Sequence, residues 1–387
     1  MIRPRSIVFG SGDFWASPMP MCSHQLARAF ARAGWSVAFV SGPITPLHFL
    51  PGAARNMRAR SRLWRQGGVR AYDGRLWAFV PFSLVAPTGR RGMRGDWVQR
   101  NWWRHALPRV ATSLGRAGFA EADVLCFDAP THAHLLRAVP HRRSVLRVVD
   151  KLSALPWHGA ARDRALRQLA GEVDLVTYTA AALRDYVEGM APRRHALLAN
   201  GVDFERFAAP QAPPPEYAAI PRPRAVYVGN LARWFDYTLF ERVAATLPEV
   251  SFVLVGPTDV AHGRLSPRAN VHLIGTRPHE AVPGYLQHAD AGLIPYDVHQ
   301  HSEQVNAINP LKLYEYLACG LPVVAVDWDE MRTLASPARL CAGADSFAAT
   351  LRHVISAPPD RNEARRFAAA RDWSAVAARL VDLLELG

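Results

Sequence analysis

Short apolar runs closed by glycine, asparagine, aspartate or proline alternate along this chain with stretches whose apolar residues return every three or four positions. The first pattern predicts buried strands and the second predicts helices lying on a sheet. In the first half the pattern predicts strands over 6–9 and 37–41 around a helix over 23–33, strands over 123–128 and 144–149, a helix over 160–169, a strand over 175–178, a helix over 180–188 and a strand over 195–198. In the second half it predicts strands over 225–228, 252–256, 271–275, 291–296 and 323–326 and helices over 282–288 and 310–318. Alternation of this kind builds doubly wound parallel sheets, so the expected class is α/β. The proline-rich run over 208–224 predicts a semi-rigid linker between a first domain over 1–207 and a second over 225–372, and 373–387 is an amphipathic closing helix. Residues 52–104 have an irregular Arg/Trp/Gly pattern and are expected to form an insertion or a long amphipathic excursion.

The stretch NAINPLKLYEYLACGLPVV, from Asn306 to Val324, is the best punctuated part of the chain. Asn309 is expected to cap the helix, Pro310 suits its first turn, Gly320 sits where a left-handed residue ends it, and Pro322 keeps it from resuming before the next strand. A helix N-terminus carries unpaired N–H groups and about half a positive charge, so with Lys312 in the first turn it is suited to a diphosphate. Glu315, one turn on, is placed to accept hydrogen bonds from ribose or sugar hydroxyls. As a solvated i, i+3 pair Lys312 and Glu315 would be ordinary surface residues. Against that, Lys151 and Lys312 are the only lysines among 46 Lys+Arg, so a retained lysine points to a need for a compact ammonium.

The segment NPLKLYEYLACGLPVVA resembles the donor-nucleotide helix of glycosyltransferases with the GT-B fold, and most of all the bacterial capsule, teichuronic-acid and exopolysaccharide branch, including the xanthan-type glucuronosyltransferases. The NGVDFERF string over 200–207 and the WFD pattern of Trp234, Phe235 and Asp236 resemble the same group. The resemblance implies two Rossmann-like domains with a nucleotide-sugar donor bound mostly by the second, and a closing helix that returns to the first. The larger retaining family has two glutamates separated by seven residues; Glu315 matches the second, whereas Ala307 stands at the first, with Glu303 a possible substitute.

Carried onto this chain, the resemblance makes Gly229, Asn230 and Arg233 candidates for the donor phosphates or base, Thr276 and Arg277 candidates for the base, and Tyr296 a residue facing the sugar. Asn309, Pro310, Leu311, Lys312 and Glu315 complete the candidate nucleotide-sugar site. Asp150 ends a predicted strand, where open parallel sheets bind ligands, and the glucuronosyltransferases carry a general-base aspartate in a comparable place. Its alternative role is a helix cap. The loop after the first strand makes Asp13 and His24 candidates for contact with acceptor or sugar, although a histidine near a helix start is more often capping or packed.

Composition narrows the function further. A chain of 387 residues with 49% hydrophobic content fills two or three cores. Cys22, Cys126, Cys319 and Cys341 are widely spaced, which fits reduced structural thiols in the cytoplasm, and no run of the sequence reads as a signal peptide or a membrane span. Residues 1–200 hold 29 Lys+Arg against 12 Asp+Glu, while 201–387 hold 17 against 21. Arginine interleaved with tryptophan around Trp64, Trp97, Trp102 and Trp103 suits an anionic membrane interface; a solvated face and nucleic acid are the other readings, and no nucleic-acid motif accompanies the charge. GSGDFW lacks the third glycine of a dinucleotide fingerprint and the second strand ends without an acid, so no NAD site is expected. His279, His299 and His301 have no paired carboxylates, and no metal or cofactor is expected. The resulting expectation is a metal-independent transfer of a hexose or uronic acid from a UDP-sugar to a lipid-linked or polysaccharide acceptor, at the inner face of the cell membrane, with no nucleic-acid partner. Direct transfer with Asp150 as base inverts the anomeric centre; a structural Asp150 leaves the retaining route open. A nucleotide-sugar epimerase and a non-catalytic basic surface-binding protein are the alternatives.

Overall fold

Residues 4–17, 20–49, 56–87, 92–151, 159–231 and 234–386 are described in a computed structural model of the chain. They form two compact units, Met1–Ala199 with Val376–Gly387, and Asn200–Ala375. The first unit is built on strands β1 (Ser6–Gly10), β2 (Ser36–Val40), β3 (Val69–Ala71), β4 (Leu76–Phe79), β5 (Ala122–Phe127), β6 (His141–Val148), β7 (Leu175–Tyr178) and β8 (His195–Leu197). Their order in the sheet is β3-β4-β2-β1-β5-β6-β7-β8, and each neighbouring pair is parallel except β3 with β4. Ile7 pairs with Val37 on one side and Val124 on the other, and β1 is buried along its whole length, as a central parallel strand covered on both faces must be.

The second unit carries β9 (Arg224–Val228), β10 (Ser251–Val255), β11 (Val271–Gly275), β12 (Ala291–Ile294), β13 (Val323–Val326) and β14 (Arg339–Cys341), in the all-parallel order β11-β10-β9-β12-β13-β14. Two apolar clusters fill this unit: one contains Val226, Val253 and Leu313, the other Ala225, Phe252 and Leu351. Alternate residues of β9 and β10 point into different clusters, so the clusters lie on opposite faces of the sheet.

Both sheets reverse their strand order at a central strand, β1 in the first and β9 in the second. Six neighbouring strands in each follow the 3-2-1-4-5-6 order of doubly wound folds, whose crevice opens beside the carboxyl ends of the strands at the reversal. The loops after β1 and β5, and those after β9 and β12, are therefore where chemistry is expected.

Three expectations change. Among the described residues of 52–104, expected as an insertion or an amphipathic excursion, Met57–Arg65 and Asp96–Asn101 are helices, and β3 and β4 form a hairpin whose second strand builds it into the sheet beside β2. The hairpin turns through Tyr72, Asp73 and Gly74, all with positive φ, so Asp73-Gly74 was a readable turn signal hidden among arginines. The proline-rich stretch is not a free linker. Phe207, Tyr217 and Ile220 enter the core of the second unit, the Tyr217 hydroxyl donates to the Tyr285 carbonyl at 3.0 Å, and the Arg224 guanidinium lies over the Tyr217 ring. The unit boundary accordingly falls at 199/200, ahead of the NGVDFERF string, because the apolar residues of that string pack into the second unit's core. In the closing helix, Trp373–Leu383, the later residues belong to the first unit, where Arg143 and Arg194 donate to the carbonyls of Leu384 and Leu383. Among the described residues no helix is long and apolar enough to cross a membrane.

Candidate active site

In the second unit, the helix Leu311–Ala318 leads from the loop after β12 into β13, with Pro310 as its N-cap and Gly320 left-handed beyond its end. Leu313, Tyr314, Tyr316, Leu317 and Ala318 are all buried, leaving Leu311, Lys312 and Glu315 along one partly accessible edge. The Tyr316 hydroxyl accepts the Val228 N–H at 2.7 Å, and a Cβ on Gly292 would lie 2.5 Å from the Tyr316 ring, so the absence of a side chain there lets the helix settle on the sheet. A helix buried on its other sides has been turned so that its lysine and glutamate face the one open direction.

Lys312 is not a solvated surface lysine. Its Nζ donates to the hydroxyls of Tyr296 at 2.8 Å and Tyr227 at 3.1 Å, and it lies 4.6 and 4.4 Å from the centroids of the same rings. Burial pushes its ammonium down to about 7, against a smaller opposing pull from Glu315. Gly229, at φ +149°, closes the other side: a Cβ there would lie 3.1 Å from Nζ. Gly256 matters for the same reason at one remove, since a Cβ on it would fall 1.9 Å from the Gly229 carbonyl oxygen. Tyr296 is fixed by backbone bonds from Asp236 to Pro295 and from Asp297 to Trp234, so the WFD segment serves to position it. Phe235 is core, and Asp236 caps the next helix through the Leu239 N–H. Glu315 faces a different partner: its Oε1 lies 2.9 Å from His279 Nε2, both side chains being more than four-fifths shielded.

The remaining second-unit candidates divide. Asn230 and Thr276 are exposed at the ends of β9 and β11. Arg277 does not reach free into this space: its guanidinium is bound to Glu216 at 2.6 Å and to the Tyr285 hydroxyl at 3.1 Å. Asn309 is not the helix cap. Its carbonyl oxygen accepts from the Asn200 N–H and the Tyr314 hydroxyl, its amide donates to Glu330, and it is 4% exposed, so it braces the start of the helix from within. Pro310 is buried and Leu311 half-buried in that first turn. Ala307, standing where the retaining family has a glutamate, is buried, and Glu303 is exposed on the short helix Ser302–Val305. Arg233 lies outside the described residues.

In the first unit, the loop after β1 meets the end of β5. Asp128 accepts from the Gly12 N–H at 2.8 Å and from the hydroxyls of Ser11 at 2.5 Å and Ser23 at 2.6 Å, which fastens this loop to the following helix, Cys22–Arg32. Ser11 Oγ in turn accepts the Asp13 N–H. Asp13 is half-buried, and its carboxyl is raised to about 7, first by burial and then by the charges of Asp128 and Asp150, with Arg60 and Arg162 opposing. Asp150, two residues beyond β6, is raised to about 6 by burial. A carboxylate near neutrality is a stronger base than an ordinary one and still ionised enough to act.

Asp128, Arg60 and Arg162 went unread in the sequence. Asp128 had a signal, since it ends a predicted strand just as Asp150 does; the arginines are indistinguishable in sequence from their many neighbours. His24 is corrected. It is fully buried, its Nδ1 accepts the Met21 N–H at 3.1 Å, its Nε2 lies 2.8 Å from the Phe14 carbonyl, and its ring packs with Trp15 and Phe39, so it braces the loop and offers nothing to a ligand. Burial lowers its basicity accordingly. Among the described residues no trio of histidine, cysteine, aspartate and glutamate is placed to hold a metal ion.

Comparison with known proteins agrees with this division. Residues 9–179 match the family described as "Glucuronosyltransferase GumK, N-terminal domain", and residues 222–357 match "Glycosyl transferases group 1". A putative teichuronic acid biosynthesis glycosyltransferase, TuaH of Bacillus subtilis, is 31% identical over 144 residues, 36% of this chain and 36% of its own length. The UDP-glucuronate:glycolipid 2-beta-glucuronosyltransferase of Xanthomonas campestris is 26% identical over 68% of this chain. The chain spans 62% of that relative's length. Among solved structures, Alr3699/HepE of Anabaena in complex with UDP and glucose aligns over 99% of this chain and 100% of its own, with TM-score 0.67 and 16% identity.

Proposed function

With a GumK-type N-terminal domain followed by a group 1 glycosyltransferase domain, the chain belongs to the GT-B-fold glycosyltransferases, and we propose that it moves a sugar from a UDP-sugar to a hydroxyl of a lipid-linked or polysaccharide acceptor in the synthesis of a cell-surface polysaccharide. The observation that carries this reading is Lys312, held by two tyrosines beside Gly229 in the first turn of the helix Leu311–Ala318. A diphosphate seated there meets the unpaired N–H groups of the helix start and the ammonium, which takes up its proton fully as the anion arrives. Glu315 accepts from the ribose hydroxyls, held in place by His279. UDP as the nucleotide is supported by the names of the Xanthomonas relative, which uses UDP-glucuronate, and of the Anabaena structure, which contains UDP.

On the acceptor side Asp150 is the general base. The acceptor hydroxyl attacks the anomeric carbon, its proton passes to the Asp150 carboxylate, and the bond from that carbon to the diphosphate breaks, releasing UDP. A single displacement inverts the anomeric centre. Lys312 and the helix N-terminus neutralise the leaving diphosphate, so the step needs no metal ion. Arg60 and Arg162 keep Asp13 partly ionised beside the base, where it orients the acceptor. The arginine-rich first unit, with Trp97, Leu84 and Leu107 exposed, lies against the anionic inner face of the membrane, where a lipid-linked acceptor is presented.

The test is thermal stability of the purified protein titrated with UDP, GDP, UDP-glucose, UDP-glucuronate and NAD, with Lys312→Met in parallel. Stabilisation by the uridine nucleotides, lost in the variant, is expected, because a ligand that binds only the folded state raises its stability by mass action. A folded protein that responds to none of them, or equally in both forms, rules the donor site out.

A further inference from the structure

The first unit contains a second concavity, a groove of about 590 Å³ on the helical layer, away from the carboxylates just described. Its walls are the segment over 99–104, the segment over 130–138, and the stripe of Ala165, Gln168 and Glu172 on the helix Ala160–Glu172. Two cross-links hold the walls apart and in register. At one end Asp96 and Arg164 form a two-point ion pair, with oxygen–nitrogen distances of 3.1 and 2.5 Å. At the other Arg137 pairs with Glu172 at 3.3 Å, and Glu172 also accepts from Gln168 at 2.7 Å. Trp102, fully buried, donates from its indole to the Thr131 carbonyl and ties the first wall to the second. Ala133, Ala138 and Ala165 are among the lining residues, and their side chains are too small to fill the space.

The charges left over after the cross-links are of one sign. Glu172, the single acid of the lining, is engaged with Arg137, while Arg100 and Arg104 have no carboxylate within ion-pair distance among the described residues. Arg104 lies 5.4 Å from the Trp103 ring, whose indole N–H donates to the Arg100 carbonyl and which stacks on His134 at 5.2 Å, so both arginines are set on a rigid aromatic step. Both ring nitrogens of His134 are buried without a hydrogen-bond partner, a cost that a bound polar group or water relieves. The volume is that of a small-molecule site. We propose that this groove binds a phosphate ester through Arg100 and Arg104, with the side-chain amides of Gln99 and Gln168 and the Thr131 hydroxyl meeting the hydroxyls of its alcohol part. Two sources present that chemistry, a phospholipid headgroup and a soluble phosphate ester. The exposed Trp97, one turn ahead of Arg100 and 59% accessible, favours the headgroup.

The test uses the full chain carrying Lys312→Met, so that phosphate at the donor site does not contribute, and titrates sn-glycerol 3-phosphate by thermal shift. The groove is altered in two ways, by Arg100→Gln with Arg104→Gln, and by Ala165→Trp, which fills the space without changing charge. Arg62→Gln with Arg65→Gln removes the same charge from another exposed helix. A saturable shift is expected, kept in the Arg62/Arg65 pair and lost in both groove variants. No saturable shift, or equal loss in the two double variants, overturns the proposal. Sedimentation with phosphatidylcholine vesicles containing phosphatidylglycerol then separates the sources: a headgroup gives a partition coefficient about 10-fold lower in the Arg100/Arg104 pair than in the Arg62/Arg65 pair. A soluble ester leaves the two pairs equal on vesicles while the thermal shift still separates them. UDP stabilisation of otherwise unaltered protein carrying only the groove substitutions is expected to persist, so failure here and failure of the donor site are told apart.

Discussion

Around Lys312 one cation is enclosed by two tyrosine rings and their hydroxyls, whereas around Asp13 three carboxylates are set against two arginines. Both arrangements are partly buried, and burial moves both toward neutrality from opposite sides: the ammonium comes down to about 7, and the carboxyls of Asp13 and Asp150 rise to about 7 and about 6. Neither Lys312 nor the pair Asp13 and Asp150 is therefore firmly charged before a ligand arrives. In the proposed reaction an anion completes the charge of the lysine, Asp150 takes the proton of a hydroxyl, and Asp13 orients that hydroxyl. On that proposal, a site that binds a preformed charge and a site that moves a proton differ in which sign is desolvated, although the physical cause is shared.

Substitutions that remove one member of the comparison should separate binding from chemistry. Asp150→Asn is expected to lower kcat by about 10²–10⁴-fold in a sugar-transfer assay while UDP stabilises the variant as before. If UDP stabilisation disappears too, Asp150 acts by holding the fold. Lys312→Met is expected to cost about 10²–10³-fold in kcat/KM and to abolish the UDP response, leaving the first unit's titration unchanged.

The pH dependence of stability gives the comparison its clearest sign. Asp13 and Asp150 hold protons more tightly when folded than their usual 3.8, so the stability they contribute is complete below about 4 and is lost as pH rises through 6 and 7. Lys312 holds its proton less tightly than its usual 10.5, so its contribution is lost as pH falls through 7 and recovers between about 7 and 10.5. Denaturant titrations of the protein minus Asp13→Asn or Asp150→Asn should thus fall across the acid window, and the protein minus Lys312→Met should rise across the alkaline one. Slopes of the same sign would show that one of the two regions is not buried as described. In calorimetry at pH 8, UDP binding should take up protons, seen as a dependence of the heat on buffer ionisation, and Lys312→Met should remove that uptake.

The smallest effect belongs to His279. Replacing it by Gln frees Glu315 to turn, and a lost hydrogen bond of this kind is worth roughly 0.5–1.5 kcal/mol. KM for the UDP-sugar should rise about 3–10-fold with kcat within twofold, and the preference for UDP over 2′-deoxy-UDP should shrink. An unchanged preference would mean that Glu315 does not meet the ribose.

The strand–helix alternation was readable because the inner strands, such as β1, β7, β10, β12 and β13, are buried along their whole length, and the α/β class followed from it. Lys312 stood out because arginine has replaced lysine nearly everywhere else, and its partners were invisible because Tyr227 comes from β9 and Tyr296 from the loop after β12. The proline-rich run misled for the opposite reason: composition suggested a linker, while two well-placed apolar residues, Tyr217 and Ile220, dock it onto a core. Arg277 and Asn309 lie near a strand and a helix end, yet their polar atoms are engaged by Glu216, Tyr285, Asn200 and Glu330, choices set by long-range packing that one-dimensional spacing cannot carry.

Asn200 opens the second unit, and its hydrogen bonds to Asn309, N–H to side-chain oxygen at 3.1 Å and side-chain amide to backbone carbonyl at 2.8 Å, latch it to the residue just before the donor helix. This makes position 200 a constraint on how the molecule can be divided and recombined. A chimera joined after 207, where sequence alone would place the seam, keeps the helix Leu311–Ala318 but takes its latch from a foreign chain. One joined at 199 carries the latch along, and grafts of the second unit onto other chains should be cut there.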